Sequence, residues 1–518
     1  MPVGHRLVTR DRRVVVVGAG SAGLVCAIHL ARAGLQVTVL EHSPSPGGAS
    51  SSVEATLPGF VHDHCAGFNP MTVASPAIRE LELEAEGLHW IRPGTIMAHP
   101  FEDGSAIALH HELDPTVASL EAACPGAGAA WRNLIKQYRP LGQRLVDAIL
   151  SPLPPVRPPI ALAVALRRDA LLLARRMAGS IEAFGLDVFD GATRPTAWLA
   201  GSAQHSGLAP STSGSGAFGF LLVLLAHSHG WPFPAGGQRR IIDALLAIAS
   251  REGVVVRCSE HVDRVIVRRG RTAGVALRGG EELTARDVVT TISARPLLEL
   301  LPAGALPDRL RRRLRIWRYS TAAFKLDYAL RRPVPWTAEP ARRAAVIHVG
   351  GELRELAAAA EAGQRGDMPE RPALVVGQHT LFDPSRAPAG QHTLYCYAHV
   401  PARYTCSDED VAGLVEAQLE RFAPGFAETV VARAIRNPQQ TEAENPSLVD
   451  GDLGGGTYEL DQQLVFRPAP SLCRHRTPLR GLYVAGASVH PGGSVHGMGG
   501  RSAARALLAD RRLRPWRA

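Results

Sequence analysis

With 518 residues, 46% of them hydrophobic and 20% charged, the chain is too long for one ordinary core and too apolar to be disordered. Its net charge of +9 comes almost wholly from arginine, since Lys136 and Lys325 are the only lysines; the basic residues form no run interleaved with aromatics, which argues against a nucleic-acid partner. Seven scattered cysteines (26, 65, 124, 258, 396, 406 and 473) show no C-x-x-C pair and no zinc spacing, so reduced thiols and no metal centre are expected.

Residues Met1 to Arg13 lack the apolar run of a secretory leader, and a cytoplasmic location is the expectation. The run Val14-Val15-Val16-Val17 suits a strand buried on both faces of a parallel sheet. It enters Gly18-x-Gly20-x-x-Gly23, a helical stretch from Leu24 to Arg32, and a second strand, Gln36 to Leu40, that ends on Glu41-His42. Gly18 permits the tight turn, Gly20 lets the backbone approach a pyrophosphate, and Gly23 allows close helix–strand packing. The free N–H groups of the helix starting near Ser21 and Ala22 meet the diphosphate. Glu41 lies about 20 residues on, where an acidic side chain binds a ribose hydroxyl. Strand, turn, helix, second strand and acid together predict a dinucleotide site.

Pro44 to Ser52 is a turn-rich connection containing Gly47-Gly48-Ala49, and an irregular stretch follows through His62, Asp63 and His64. That trio reads either as structural groups or as groups at the coenzyme. From about Pro76 to Trp231 the pattern is mainly helical. Within it, Ile160 to Met177 follows a proline-rich stretch and carries its arginines on one half of a helical wheel. An interfacial membrane helix and a surface helix packed on its leucine side are both open readings. No segment reaches ~18 uninterrupted apolar residues. Gly214-Ser-Gly216-Ala-Phe-Gly219 repeats the glycine pattern but follows no strand, so it reads as a loop before a buried helix from Phe220 to His227.

After Pro234-Ala-Gly236-Gly237, a helix is predicted from Gln238 to Ser250, with Arg239 at its start facing either pyrophosphate or solvent. Strands follow over Val254 to Cys258, Val262 to Val267, Thr272 to Leu277 and Val288 to Thr291, with Arg269-Gly270-Arg271 as a hairpin turn. Ser320 to Tyr328 and His392 to His399 read as strands, and Val411 to Phe422 as a helix. The last block runs from Gly481 to Gly486-Ala487, through His490-Pro-Gly-Gly493 and Val495-His496-Gly497, into a final helix. His490 and His496 are candidates for proton transfer, since imidazole titrates near neutrality. For His490 the plainer reading is a hydrogen bond to a neighbouring loop.

The series Gly18-x-Gly20-x-x-Gly23, Glu41, Gly47-Gly48, Pro-x-Gly236-Gly237 and Gly481 to His490-Pro-Gly-Gly resembles the phytoene dehydrogenase-like FAD-dependent oxidoreductases. These group with the amine oxidases and the Rab GDP-dissociation inhibitors in the glutathione-reductase-like FAD fold. Leu57-Pro-Gly-Phe60, Trp231-Pro-Phe-Pro234 and Gly451-Asp-Leu-Gly-Gly-Gly456 are similar to a bacterial subgroup. The expected fold is therefore α/β: a Rossmann-type FAD-binding domain from 1–75, 235–300 and 476–518, with a discontinuous α+β substrate-binding domain from 76–234 and 301–475.

By this resemblance, Gly18, Gly20, Ser21, Ala22, Gly23, Glu41 and His42 hold the ADP half of FAD. Gly47, Gly48 and Ala49 pass the pyrophosphate and ribityl chain, and Val262 contacts adenine. Gly486, Ala487, Gly493, Val495 and His496 cover the flavin. Ala487 stands where many related flavoproteins carry an acid, so a side-chain contact to ribitol is absent there. The implied activity is dehydrogenation of a hydrophobic, isoprenoid-like substrate by hydride transfer to flavin N5, with quinone or oxygen as electron acceptor. An amine oxidase-like enzyme, a redox-neutral polyene isomerase and a lipid-binding escort resembling the GDP-dissociation inhibitors are the alternatives. The resemblance leaves the oligomeric state and contact with a membrane surface open.

Overall fold

In the computed structural model, residues 12–154, 157–166 and 169–513 are described. Strand β1 (Arg13–Val17), helix α1 (Ser21–Arg32) and strand β2 (Gln36–Leu40) follow one another as the sequence predicts. β1 lies at the centre of a five-stranded parallel sheet ordered Leu482–Val484, Asp287–Thr290, β1, β2, Val255–Arg257. That central place explains its four consecutive valines, all buried, since both faces of the strand are covered.

Helix α1 buries Leu24, Val25, Ile28 and Leu30 completely, each contributing about 1.5–3 kcal/mol. The final helix, Met498–Leu513, packs against it. Their backbones come so close that a Cβ at Gly500 would lie 1.9 Å from the Ala22 carbonyl oxygen. The glycine signatures from the two ends of the chain thus meet in one layer.

Beside this sheet, Val262–Arg268, Arg271–Leu277 and Glu282–Thr284 form an antiparallel meander. A second, seven-stranded sheet runs Val430–Arg436, Ala322–Leu330, His392–Val400, Leu374–Gly377, Val346–Val349, Thr95–Pro100, Ala106–His110. Its last two strands lie inside the stretch read as mainly helical. Runs such as Ile96-Met97-Ala98 do not distinguish a buried strand from a buried helix, and pairing of Met97 with the distant Val346 decides the matter. Ile160 to Met177 forms two helices, Arg157–Leu166 and Asp169–Ala178; Arg167 and Arg168 lie outside the described residues. The buried helix expected from Phe220 to His227 extends over Ser215–His229.

Where the segments join, Arg386 is fully buried and donates to Asp63 Oδ2 at 2.6 Å, Asp383 Oδ2 at 3.0 Å and the Pro234 carbonyl at 2.7 Å. Asp63 also accepts from the Ser52 hydroxyl and the Gln238 N–H, each at 2.8 Å. Burial pushes the Asp63 carboxyl up, but Arg386, His379 and the Gln238 N–H outweigh it, so the group titrates below its ordinary value. Replacing Arg386 by methionine strands two buried carboxylates and is expected to cost about 3–5 kcal/mol of unfolding free energy. Denaturant unfolding of Arg386→Met measures this, and a loss under 1 kcal/mol would contradict the assigned role.

Candidate functional site

A cavity of about 1340 Å³ runs between the two sheets, larger than the ~300–1,000 Å³ usual for a single ligand. One end is built from the nucleotide layer. Gly18, Gly20, Ser21, Ala22, Gly23, Glu41, His42, Gly47, Gly48, Ala49 and Val262 line it, and Gly486, Ala487, His490, Gly493, Val495 and His496 close it. The structure therefore brings every residue assigned to the coenzyme from the sequence, together with both candidate histidines, to one wall system. It adds Thr291 from the end of the strand beside β1, Pro44 to Pro46, and Asn445.

The turn after β1 is dictated by contact distances. Gly18 has φ +100°, and a Cβ on Gly23 would fall 1.9 Å from the Gly18 carbonyl oxygen. The Gly47 N–H donates to the Ala19 carbonyl at 3.1 Å, pinning the glycine doublet against the first glycine loop. Glu41, nearly buried, ties the turn to the end of β2: Oε2 accepts from the Ala19 N–H at 2.8 Å and Oε1 from the Ser43 N–H at 3.0 Å. Helix α1 starts on this wall with no acidic residue in its first turn, and the final helix does likewise. Two helix N-termini thus turn their positive partial charge to the same space, the Met498 N–H of the second being taken by His496 Nδ1. Glycine backbone, helix termini and a single carboxylate fit the diphosphate and ribose of a dinucleotide.

His490 donates from Nε2 to the Ser151 carbonyl at 2.9 Å, the loop contact considered for it from the sequence. His496 accepts the Met498 N–H at Nδ1, 3.1 Å away, and its other hydrogen bond goes to the Gly492 backbone, so the ring caps the final helix. Burial lowers both rings, His496 to about 4, and keeps them neutral. Of the earlier trio, Asp63 is locked to Arg386 and His62 faces Asp327 at 3.4 Å; His64 alone reaches the cavity wall, beside Glu444 at 3.2 Å. Arg239 lines the cavity with its guanidinium held by Asp243 at 2.7 Å.

Arg467 had no sequence signal of its own. Fully buried, it donates to the carbonyls of Gly454 at 2.7 Å, Thr457 at 3.2 Å and Ala487 at 3.0 Å. It clamps the turn after Gly486 onto the Gly451–Gly456 motif, where Asp452 accepts the N–H groups of Gly454 and Gly456 at 2.6 Å each. The motif was legible; the arginine that reads its carbonyls was not.

The far end of the cavity is apolar, with Met177, Leu221, Leu222, Trp231, Val375 and Leu453 on its wall beside Tyr395, Tyr397 and His205. Phe218 and Ala217, from the repeated glycine pattern, line this side as well. Lys325 is not among the lining residues; it is buried against Asp327, with its ammonium 4.6 Å from the Tyr395 ring centroid.

Residues 21–508 match the family described as flavin containing amine oxidoreductase. The chain is 28% identical to pyridine nucleotide-disulfide oxidoreductase domain-containing protein 2 of Rattus norvegicus, over 96% of this chain and 93% of that one. It is 29% identical to hydroxyneurosporene desaturase of Cereibacter sphaeroides, over 96% and 98% of the two chains. Its fold is shared with a solved putrescine oxidase triple mutant at a TM-score of 0.64, with 15% identity over 97% of this chain and 99% of the other. FAD is the cofactor that the family brings to this cavity. Glu41→Ala removes the acceptor for two loop N–H groups at the coenzyme end of the cavity, and is expected to weaken FAD binding at least ~10-fold, measured by flavin titration of the apoprotein. The chain belongs to the flavin containing amine oxidoreductase family and is an FAD-dependent oxidoreductase related to the carotenoid desaturases.

Proposed function

We propose that the protein dehydrogenates a hydrophobic, isoprenoid-like substrate, bound at the apolar end of the cavity. The observation that carries this reading is the wall there: a long surface of leucine, valine, methionine and tryptophan continuous with the glycine-lined end. Apolar contacts would supply the binding free energy, about 25 cal/mol for each Å² withdrawn from water, and exclude solvent from the reacting carbons. FAD, held by the first glycine turn, Glu41, Gly47-Gly48 and the turn after Gly486, supplies a hydride acceptor. A quinone or dioxygen would be the terminal acceptor. The sequence likeness to hydroxyneurosporene desaturase supports the substrate class. The burial of Lys325 against Asp327, away from the wall, favours this reading over amine oxidation.

A lipid surface is the proposed source of the substrate, with the protein attached peripherally on the cytoplasmic side. No helix among the described residues is long and apolar enough to cross a membrane. Yet Ile160 and Val164 are 58% and 70% exposed on one short helix, and Leu171 is 80% exposed on the next. Leu460, Leu464 and Phe466 add a second exposed apolar group. Ala174, Met177, Ala178, Leu460 and Leu464 belong to these segments and also line the cavity, so the patch surrounds its mouth. The adjoining helix Asp308–Arg315, joined to Phe466 and Pro468 by Arg313, carries exposed Arg309, Arg312 and Arg315, suited to anionic headgroups.

Anaerobic mixing with solubilised acyclic polyenes is expected to bleach the flavin absorbance, with a more unsaturated product; no bleaching across a series of chain lengths would overturn the reading. In vesicle flotation, the protein is expected to rise with phosphatidylglycerol-containing vesicles and Leu171→Glu/Leu464→Glu to stay behind. Wild-type protein left at the bottom of the gradient would refute the membrane attachment.

A further inference from the structure

We propose that Tyr397, His205, His348 and His99 form a proton relay leading inward from the cavity, with Tyr397 as the catalytic residue at its open end. The proposal rests on the dehydrogenase reading above, which requires a group to take a proton. Tyr397 and His205 lie on the cavity wall. The Tyr397 hydroxyl is 3.3 Å from His205 Nδ1, and His205 Nε2 is 3.0 Å from His348 Nε2. His99 Nε2 is 2.7 Å from the Gly351 carbonyl. His348 and His99 are both completely buried, and neither Nδ1 has a hydrogen-bond partner among the described residues.

The two unpaired Nδ1 atoms face the same gap. It exists because residue 201 is glycine: a Cβ there would lie 3.0 Å from His348 Nδ1 and 3.2 Å from His99 Nδ1. Proton positions follow from the Gly351 end. A carbonyl only accepts, so His99 carries its proton on Nε2 and offers a bare Nδ1. A complementary donor across the gap is His348 Nδ1–H, acting through one water held between the two rings. His348 Nε2 is then an acceptor, His205 Nε2 its donor, and His205 Nδ1 accepts from the Tyr397 hydroxyl. Every bond in the series runs in one direction, and the Tyr397 oxygen keeps its lone pairs for the cavity.

That polarity suits the arithmetic of dehydrogenation. Converting CH–CH to C=C removes a hydride from one carbon and a proton from its neighbour. FAD held at the glycine-lined end would supply the acceptor for the hydride and its electron pair. The proton passes to the Tyr397 oxygen while the Tyr397 hydroxyl proton moves to His205 Nδ1. The His205 Nε2 proton moves to His348 Nε2, and the His348 Nδ1 proton passes through the bridging water to His99 Nδ1. Reduction of a quinone-class acceptor to its quinol consumes the hydride equivalent and a proton, and the reverse shift returns the stored one. Burial holds His205 and His99 near 4 and His348 well below the ordinary imidazole value, so these rings give up an extra proton readily. His348 and His99 act through their neighbours and are positioning residues.

Histidine side-chain ¹⁵N NMR of the full-length holoprotein tests the relay, with signals assigned from His99→Gln, His205→Gln and His348→Gln. The expected pattern is one proton on Nε2 of His99 and of His205 and one on Nδ1 of His348. A proton on His348 Nε2, or a doubly protonated ring at neutral pH, would overturn it. This pattern needs no substrate, so it stands or falls apart from the dehydrogenase reading. Tyr397→Phe is expected to keep flavin content and spectrum while slowing anaerobic bleaching roughly 10²-fold and abolishing its solvent deuterium isotope effect. Bleaching at the wild-type rate in Tyr397→Phe would remove Tyr397 from catalysis.

Discussion

The contact between Arg386 and Asp63 holds the molecule's two layers in register. Both side chains are shut off from water, which makes each obligatory to the other: a lone carboxylate or guanidinium at that depth would be far costlier than the pair. Asp63 extends the constraint through Ser52 to the Arg239 N–H and through its own bond to the Gln238 N–H. Arg386 extends it to Asp383, which takes the Gly236 N–H at 2.7 Å. Three segments far apart in sequence are fixed around one charge cluster, and the glycine doublet between β2 and Asp63 is carried into place with them.

That framework makes a cavity with two chemical characters. At one end the walls are main chain, brought close by glycine, with two helix N-termini and no acid in either first turn. At the other, side chains of the seven-stranded sheet and of the helix Ser215–His229 supply apolar surface. The glycine-lined end suits a charged, extended coenzyme, and the apolar end offers the opposite solvent. Arg467 gives its donors to backbone carbonyls, so its charge is buried without reaching for a ligand phosphate.

The apolar helices at the cavity mouth would be an aggregation liability on a protein surrounded by water on all sides. Their position is informative for that reason. Leu460 and Leu464 are exposed and line the cavity at once, and Ala178, at the end of the helix Asp169–Ala178, accepts the Gly214 N–H at 3.0 Å just where Leu460 packs. Exposure and access to the interior therefore coincide in one patch, with arginines at its edge.

The dinucleotide end was legible because its physics is local. A buried parallel strand selects consecutive valines, a helix start that approaches a strand selects Gly23, and the acid at the end of β2 ties down the glycine turn through the Ala19 N–H. Each of these is a short-range demand that fixes a residue type at a fixed spacing. Strands such as Thr95–Pro100 were not legible, because short apolar runs carry no period of their own and the pairing that places this one in the sheet, with Val346–Val349, comes from far along the chain. Arg386, Arg467 and the Tyr397–His205–His348 series were hidden for a related reason: hydrogen bonds between distant residues leave no spacing to read. The sequence by itself determined the coenzyme and the layer that holds it. Which tyrosine meets which histidine, and where the apolar surface opens, were decided only when long-range pairing brought the strands and loops together.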